Sequence, residues 1–197
     1  MGTALEMVIF NKHLIPERQL LLCLNSFHSM QILSKKIVLY KDWNYKEEIC
    51  LSSLDLMEHI PDFKIAYLDL ETQPSIKCGI IVTKELSLDL YNYTIWSSEE
   101  NFTFPWNRHI TDSFRDAIRS VLSVPGILPS EGADTPEYIA FGYEMYFTEE
   151  NSFNKLLSAA HSVIIWAAKS SYYAELHASD FTIMYNDKKT IIAELLE

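Results

Sequence analysis

The most apolar stretch of the chain, Phe153 to Leu176, places the strongest constraint on the fold. Its apolar side chains recur at intervals of three and four residues, as expected for one broad stripe on a helix. The stripe consists of Phe153, Leu156, Leu157, Ala160, Val163, Ile164 and Ala167. At 1.5 Å per residue the helix would extend roughly 35–40 Å, with a break expected near Lys169-Ser170-Ser171. The pattern therefore predicts a central core helix.

An acidic segment lies directly before this predicted helix. Ser120 to Asn154 contains no lysine or arginine, and its acidic residues are Glu131, Asp134, Glu137, Glu144, Glu149 and Glu150. Glu149 and Glu150 suit a helix N-terminus, where negative charge is stabilising. The other four acids have no cation nearby in the sequence. They predict an uncompensated acidic surface, which would steer association with a basic protein.

Two further regions carry strong structural patterns. Pro16 and the leucines after it predict a helix over about 16–34, and Asp112 to Ser123 predicts a second helix with an apolar face. Strands are predicted at Met7–Phe10, Ile37–Tyr40, Glu47–Leu51, Lys64–Leu70, Ile76–Val82, Leu86–Leu90 and Glu137–Phe147, followed by a hairpin over Asp180–Leu195. The spacing of Leu86, Leu90 and Tyr93 also matches a helix. Ser52 or Ser53 can cap a short helix that ends before Pro61. We expect an α+β fold, with an antiparallel or mixed sheet of about five to seven strands packed by about three main helices.

The length of 197 residues fits a single domain covering residues 1–197. Residues 1–6 are expected to be disordered or an addition before a natural start at Met7. Residues 124–136 hold three of the seven prolines and two of the five glycines, which predicts a long loop.

The overall charge and the cysteines indicate which class of partner and which cellular compartment the protein is suited to. The net charge of −11 repels phosphate backbones, and no basic cluster offsets it, so we expect no nucleic-acid partner. Three widely spaced cysteines without a C-x-x-C pair favour a reducing compartment. No signal peptide or apolar run long enough to span a bilayer is present, which predicts a soluble cytoplasmic protein without membrane contact.

The sequence lacks the common catalytic and nucleotide-binding motifs, including G-x-S-x-G, the Walker loop and H-E-x-x-H. Glu175, His177 and Asp180 include metal-ligating residue types, but the end of a helix explains them better. We therefore predict no metal, no cofactor and no catalytic residue.

Aromatic residues concentrate between Tyr91 and His109. Six of the sixteen positions from 91 to 106 are aromatic, namely Tyr91, Tyr93, Trp96, Phe102, Phe104 and Trp106. Arg108 and His109 follow directly. Aromatic residues and arginine anchor interfaces and line ligand pockets, although an aromatic strand packed in the core has the same composition.

Two functional hypotheses follow. The first is an acidic protein-binding module, for example an inhibitor or immunity protein that neutralises a basic toxin or nuclease. Its predicted partner-binding residues are Glu131, Asp134, Glu137, Glu144, Trp96, Trp106 and Arg108. The alternative is a small enzyme or ligand-binding domain with an aromatic pocket around residues 91–109, in which Arg108 and His109 supply anion binding or proton transfer.

Overall fold

The computed structural model describes residues 4–42, 44, 48–60, 64–85, 90–98, 112–130, 132, 135–143, 163–186 and 189–195. The strands are β1 (Ala4–Asn11), β2 (Gln31–Tyr40), β3 (Glu48–Leu51), β4 (Ile65–Gln73), β5 (Cys78–Glu85), β6 (Leu90–Ser98), β7 (Tyr138–Tyr143), β8 (Val163–Lys169), β9 (Phe181–Asn186) and β10 (Thr190–Leu195). The helices are α1 (Glu17–Phe27), α2 (Asp112–Leu122) and α3 (Tyr173–His177), with short 3-10 helices at Leu54–His59 and Ser170–Tyr172.

All ten strands of the described residues form one antiparallel sheet in the order β3-β2-β4-β5-β6-β1-β7-β8-β10-β9. β1 lies in the middle, between β6 and β7. Successive side chains of a strand point to opposite faces. Met7 and Ile9 therefore face one side and Val8 and Phe10 the other, and all four are buried. The centre of the sheet is covered on both faces.

The first of these faces, the helix face, packs against α1 and α2. Leu20 and Leu24 of α1 and Ile118 and Val121 of α2 are buried in the same apolar cluster as Met7. An ion pair from Arg115 of α2 to Glu194 of β10 ties this layer to the sheet.

The other face, the opposite face, holds a second, aromatic cluster under α3. Phe10 and Tyr138 stack with ring centroids 4.5 Å apart, and Trp166 lies 5.8 Å from Tyr138 and 6.3 Å from Phe181. Leu176 of α3 is buried against this cluster. Burial of rings this large contributes several kcal/mol to folding, of the order of 1.5–3 kcal/mol per side chain.

The predicted α+β class with about three helices and an antiparallel sheet is confirmed, but the expected five to seven strands are too few. The main reason is the apolar segment after Phe153, in which Val163–Lys169 forms the strand β8 and not a helix. A strand buried on both faces has a continuous apolar run, which resembles a broad helical stripe. Phe153 to Ser162 lies outside the described residues. The predicted break near Lys169 coincides with the end of β8.

The structure also places the ends of other elements differently from the sequence-based prediction. The predicted helix over 16–34 ends at Phe27, and Gln31 already belongs to β2. β1 begins at Ala4, so residues 4–6 pair within the sheet. The helix from Asp112 and the terminal hairpin are confirmed. One sheet joins the first described strand to the last, in keeping with a single domain. No helix in the described part of the chain has the length and hydropathy needed to cross a bilayer.

Candidate protein-binding surface

The register of the three central strands places the last described residues before two predicted functional segments at one end of the sheet. Ala4 of β1 pairs with Ser98, the last residue of β6, and Leu5 pairs with Tyr143, the last residue of β7. β6 and β7 thus both end beside the start of β1. We call this the β1-start end. Residues 99–111 follow β6 and residues 144–162 follow β7. These two segments contain Trp106, Arg108 and Glu144, and they lie outside the described residues.

Glu137 lies at the other end of β7. Its backbone N–H donates to the carbonyl of Phe10, 2.7 Å away, near the end of β1. An extended chain rises about 3.3 Å per residue, so Glu137 is roughly 20 Å from Tyr143, the residue before Glu144. The neighbouring acids Glu131 and Asp134 lie outside the described residues.

The expectation that Glu137 lacks a nearby cation is wrong. Its carboxylate accepts a hydrogen bond from Lys169 Nζ at 2.8 Å, and Lys12 Nζ lies 4.0 Å away. Lys169 is distant in sequence but adjacent in the sheet, because β7 pairs with β8. Glu137 is therefore compensated within the fold and contributes little to a free acidic surface.

Trp96, in contrast, lies near the β1-start end on the opposite face and is partly exposed. Its indole extends across Gly79 of the neighbouring strand β5. A Cβ placed on Gly79 would come within 2.9 Å of Trp96 Nε1 and 3.1 Å of Trp96 Cε2. The missing side chain of Gly79 thus allows the ring to approach the backbone of the sheet closely.

Two acidic residues share this face of the sheet with Trp96. Cross-strand partners share one face of a sheet, and the register aligns Asp69 of β4 with Gly79, Gly79 with Trp96, and Trp96 with Glu6 of β1. Asp69 is exposed and Glu6 is partly buried. Asp69 forms no ion pair with any other described residue. The arrangement is an aromatic surface with an acid on each side.

The aromatic residues of β6 do not converge on one pocket. Tyr93 faces the helix side and is fully buried, where its hydroxyl accepts a hydrogen bond from the Ile15 N–H at 2.6 Å. Tyr91 shares that face, whereas Trp96 points to the opposite one. Trp106, Arg108 and His109 lie outside the described residues, so the predicted aromatic pocket stays a prediction.

One serine and one histidine have the spacing of a nucleophile and its base. His28 Nε2 and Ser97 Oγ are 2.6 Å apart. Ser97 is only 2% exposed, which keeps its hydroxyl from a substrate. Burial lowers the pKa of His28 from its usual 6.5, so the neutral ring is favoured. The contact fixes the segment after α1 to β6.

Other reactive groups are also explained by structure. Burial raises the pKa of the Cys23 thiol to about 12 and that of Cys78 to about 11, so neither forms the reactive thiolate near neutral pH. No group of three metal-ligating side chains occurs among the described residues. His177 and Glu175 lie on the short helix α3, as the structural interpretation of that pair predicts.

A groove of about 390 Å³ lies between α1, β2 and the 3-10 helix at Leu54–His59. Its acidic groups are already engaged. Glu17 binds Lys35 and accepts from the Leu54 N–H at 2.8 Å, and Asp55 accepts from the Glu17 N–H at 2.9 Å. These contacts hold α1 to the sheet edge, and the groove is best explained as a junction of structural elements.

Sequence reasoning named Trp96 as a candidate but did not name Glu6 or Asp69. Both acids are isolated in the sequence, and only strand pairing brings them beside Trp96. Gly79 inside an apolar alternating segment is the one local signal, because glycine in a strand often marks a close approach by another group. No family model, curated protein or solved structure matched this chain.

Proposed function

We propose that this chain is an acidic protein-binding module whose partner is a basic protein. The observation that carries the proposal is the convergence at the β1-start end. There, the strands that precede residues 99–111 and 144–162 terminate on either side of β1. An inhibitor or immunity protein that neutralises a basic toxin or nuclease would have this character.

The distribution of charge supports this assignment. The described residues carry 15 acidic and 12 basic side chains, a net charge of −3, whereas the remaining residues carry 12 acidic and four basic, a net charge of −8. The two segments that follow β6 and β7, residues 99–111 and 144–162, contribute five acids and two bases. A local excess of one sign raises association rates with oppositely charged proteins by roughly 10- to 1,000-fold at low salt.

The cysteines suit a reducing compartment such as the cytoplasm. Cys23, Cys50 and Cys78 are all free thiols, and two of them are buried in the core. A buried thiol behaves as a small apolar side chain and does not require oxidation for stability.

The test compares two variants with the same change in charge. Glu99→Gln/Glu100→Gln/Glu144→Gln neutralises acids that follow β6 and β7, and Glu48→Gln/Glu175→Gln/Asp180→Asn neutralises three exposed acids elsewhere. Wild type and both variants are used for affinity capture from an extract of the source organism, followed by mass spectrometry. Association rates with the purified captured protein are then measured at low and high salt.

We expect wild type and the control variant to capture the same basic protein, and the first variant to associate with it roughly tenfold more slowly at low salt. The difference should shrink at high salt because ions screen the attraction. Equal association by both variants, or capture of an acidic protein, would count against a basic partner at the β1-start end.

A further inference from the structure

We propose that Trp96 and Asp69 form a seat for an arginine side chain. This inference rests on the proposed basic partner and names the group of that partner that the chain recognises. The seat lies on the opposite face of the sheet, on strands β4 and β6, with Gly79 of β5 beneath the indole.

Gly79 determines how the indole lies. Any larger residue there would collide with Trp96 Nε1 at 2.9 Å, and the carbonyl oxygen of Leu68, 3.1 Å from the same point, closes the other side. The ring is therefore held low over β5 and directed toward β4. Trp96 nevertheless remains partly exposed, so part of the ring surface is accessible to a ligand.

Asp69 supplies the charge. Neighbouring strands are about 4.8 Å apart, so Asp69 lies one strand beyond Gly79 on the side toward which the indole extends. Lys36 is the cross-strand partner of Asp69 on β2, yet the two form no ion pair. Asp69 is thus available to an incoming cation.

The chemistry favours guanidinium over ammonium. A cation over the face of tryptophan, the best of the aromatic rings for this contact, gains about 0.5–1 kcal/mol at an exposed site. The planar guanidinium also stacks on an aromatic face and donates in a fork to a carboxylate at its edge, which a lysine ammonium does not match. An arginine side chain can stack on the indole and donate hydrogen bonds to Asp69 at the same time.

The test uses Nα-acetyl-arginine amide as the probe and the indole N–H resonances of the ¹⁵N-labelled protein as the readout. The Trp96 resonance is identified by its loss in Trp96→Phe. We expect it to shift saturably with the arginine derivative and not with the neutral isostere Nα-acetyl-citrulline amide. Asp69→Asn should weaken binding roughly three- to tenfold, and the lysine derivative should bind at least about threefold more weakly than arginine.

A Trp96 resonance that does not move, or that moves equally with citrulline, would overturn the proposal, and equal binding of lysine would overturn the guanidinium assignment. Asp116→Asn, an exposed acid on α2, is the matched control and should leave binding unchanged. The Glu99→Gln/Glu100→Gln/Glu144→Gln variant separates the two proposals. It should bind the arginine derivative normally even though its capture of the basic partner is impaired, so either proposal fails independently of the other.

Discussion

Gly79→Ala provides a direct stability test of the geometry at Trp96. The added methyl would meet Trp96 Nε1 at 2.9 Å, Trp96 Cε2 at 3.1 Å and the Leu68 carbonyl oxygen at 3.1 Å. The indole can rotate away, but the Leu68 carbonyl belongs to the neighbouring strand β4 and cannot move without disturbing the sheet. Overpacking of this kind typically costs about 1–3 kcal/mol.

Part of that cost is offset in the unfolded state. Alanine loses less conformational entropy on folding than glycine, which contributes about 0.5–1 kcal/mol in favour of the variant. The expected net loss is therefore roughly 0–2.5 kcal/mol, or up to about 10 °C in Tm for a chain of this size. Urea unfolding followed by circular dichroism measures the free energy, and the Trp96 indole resonance reports the displaced ring.

A double-mutant cycle isolates the contact with Trp96. In a Trp96→Ala background the two indole contacts are absent and only the contact with the Leu68 carbonyl oxygen remains, so Gly79→Ala should cost less there than in the wild type. We expect a coupling energy of at least about 1 kcal/mol between the two positions. Additive effects, or a Gly79→Ala variant as stable as wild type with an unchanged indole resonance, would refute the account of Trp96 lying across Gly79.

Two other predictions concern the elements that support the helix face. Lys35→Met should destabilise the fold by about 1–3 kcal/mol, because it leaves the Glu17 carboxylate, with its side chain only 8% exposed, without its cation, although Lys35 itself is 35% exposed. Glu17→Gln should cost less in the same urea unfolding, since its amide oxygen still accepts from the Leu54 N–H; a greater loss for Glu17→Gln would contradict this. Because the pKa of His28 is lowered in the folded state, the unfolded chain takes up a proton at this histidine first as pH falls. The contribution of neutral His28 to the free energy of unfolding is therefore present above pH 6.5 and is lost as pH falls below that value. His28→Gln should flatten the dependence of the unfolding free energy between about pH 7.5 and 5.5, and an unchanged slope would show that His28 does not cause it.

The sequence predicts the fold well where an apolar segment is short and is bounded by polar or turn-forming residues. Met7–Phe10 is a short apolar run that ends at polar residues, and the hairpin after Asp180 has a clear turn sequence; both form as expected. Ser53 accepts a hydrogen bond from the Asp55 N–H at the start of a short helix, as a capping serine does. The pattern misled at Val163–Lys169, because burial on both faces removes the alternation that marks a strand.

The candidate site illustrates a different limit of sequence reasoning. Its parts come from β1, β4, β5 and β6, so residues 6, 69, 79 and 96 become neighbours only through strand order and register. A window along the chain detects a run of acids such as Ser120 to Asn154, yet pairing in the sheet supplies Glu137 with Lys169 and leaves Asp69 without a described ion-pair partner. Charge density in the sequence is thus a poor guide to which acid is free. Since strand pairing both neutralises and exposes carboxylates, the register of the sheet determines which acids are accessible to the basic partner we propose.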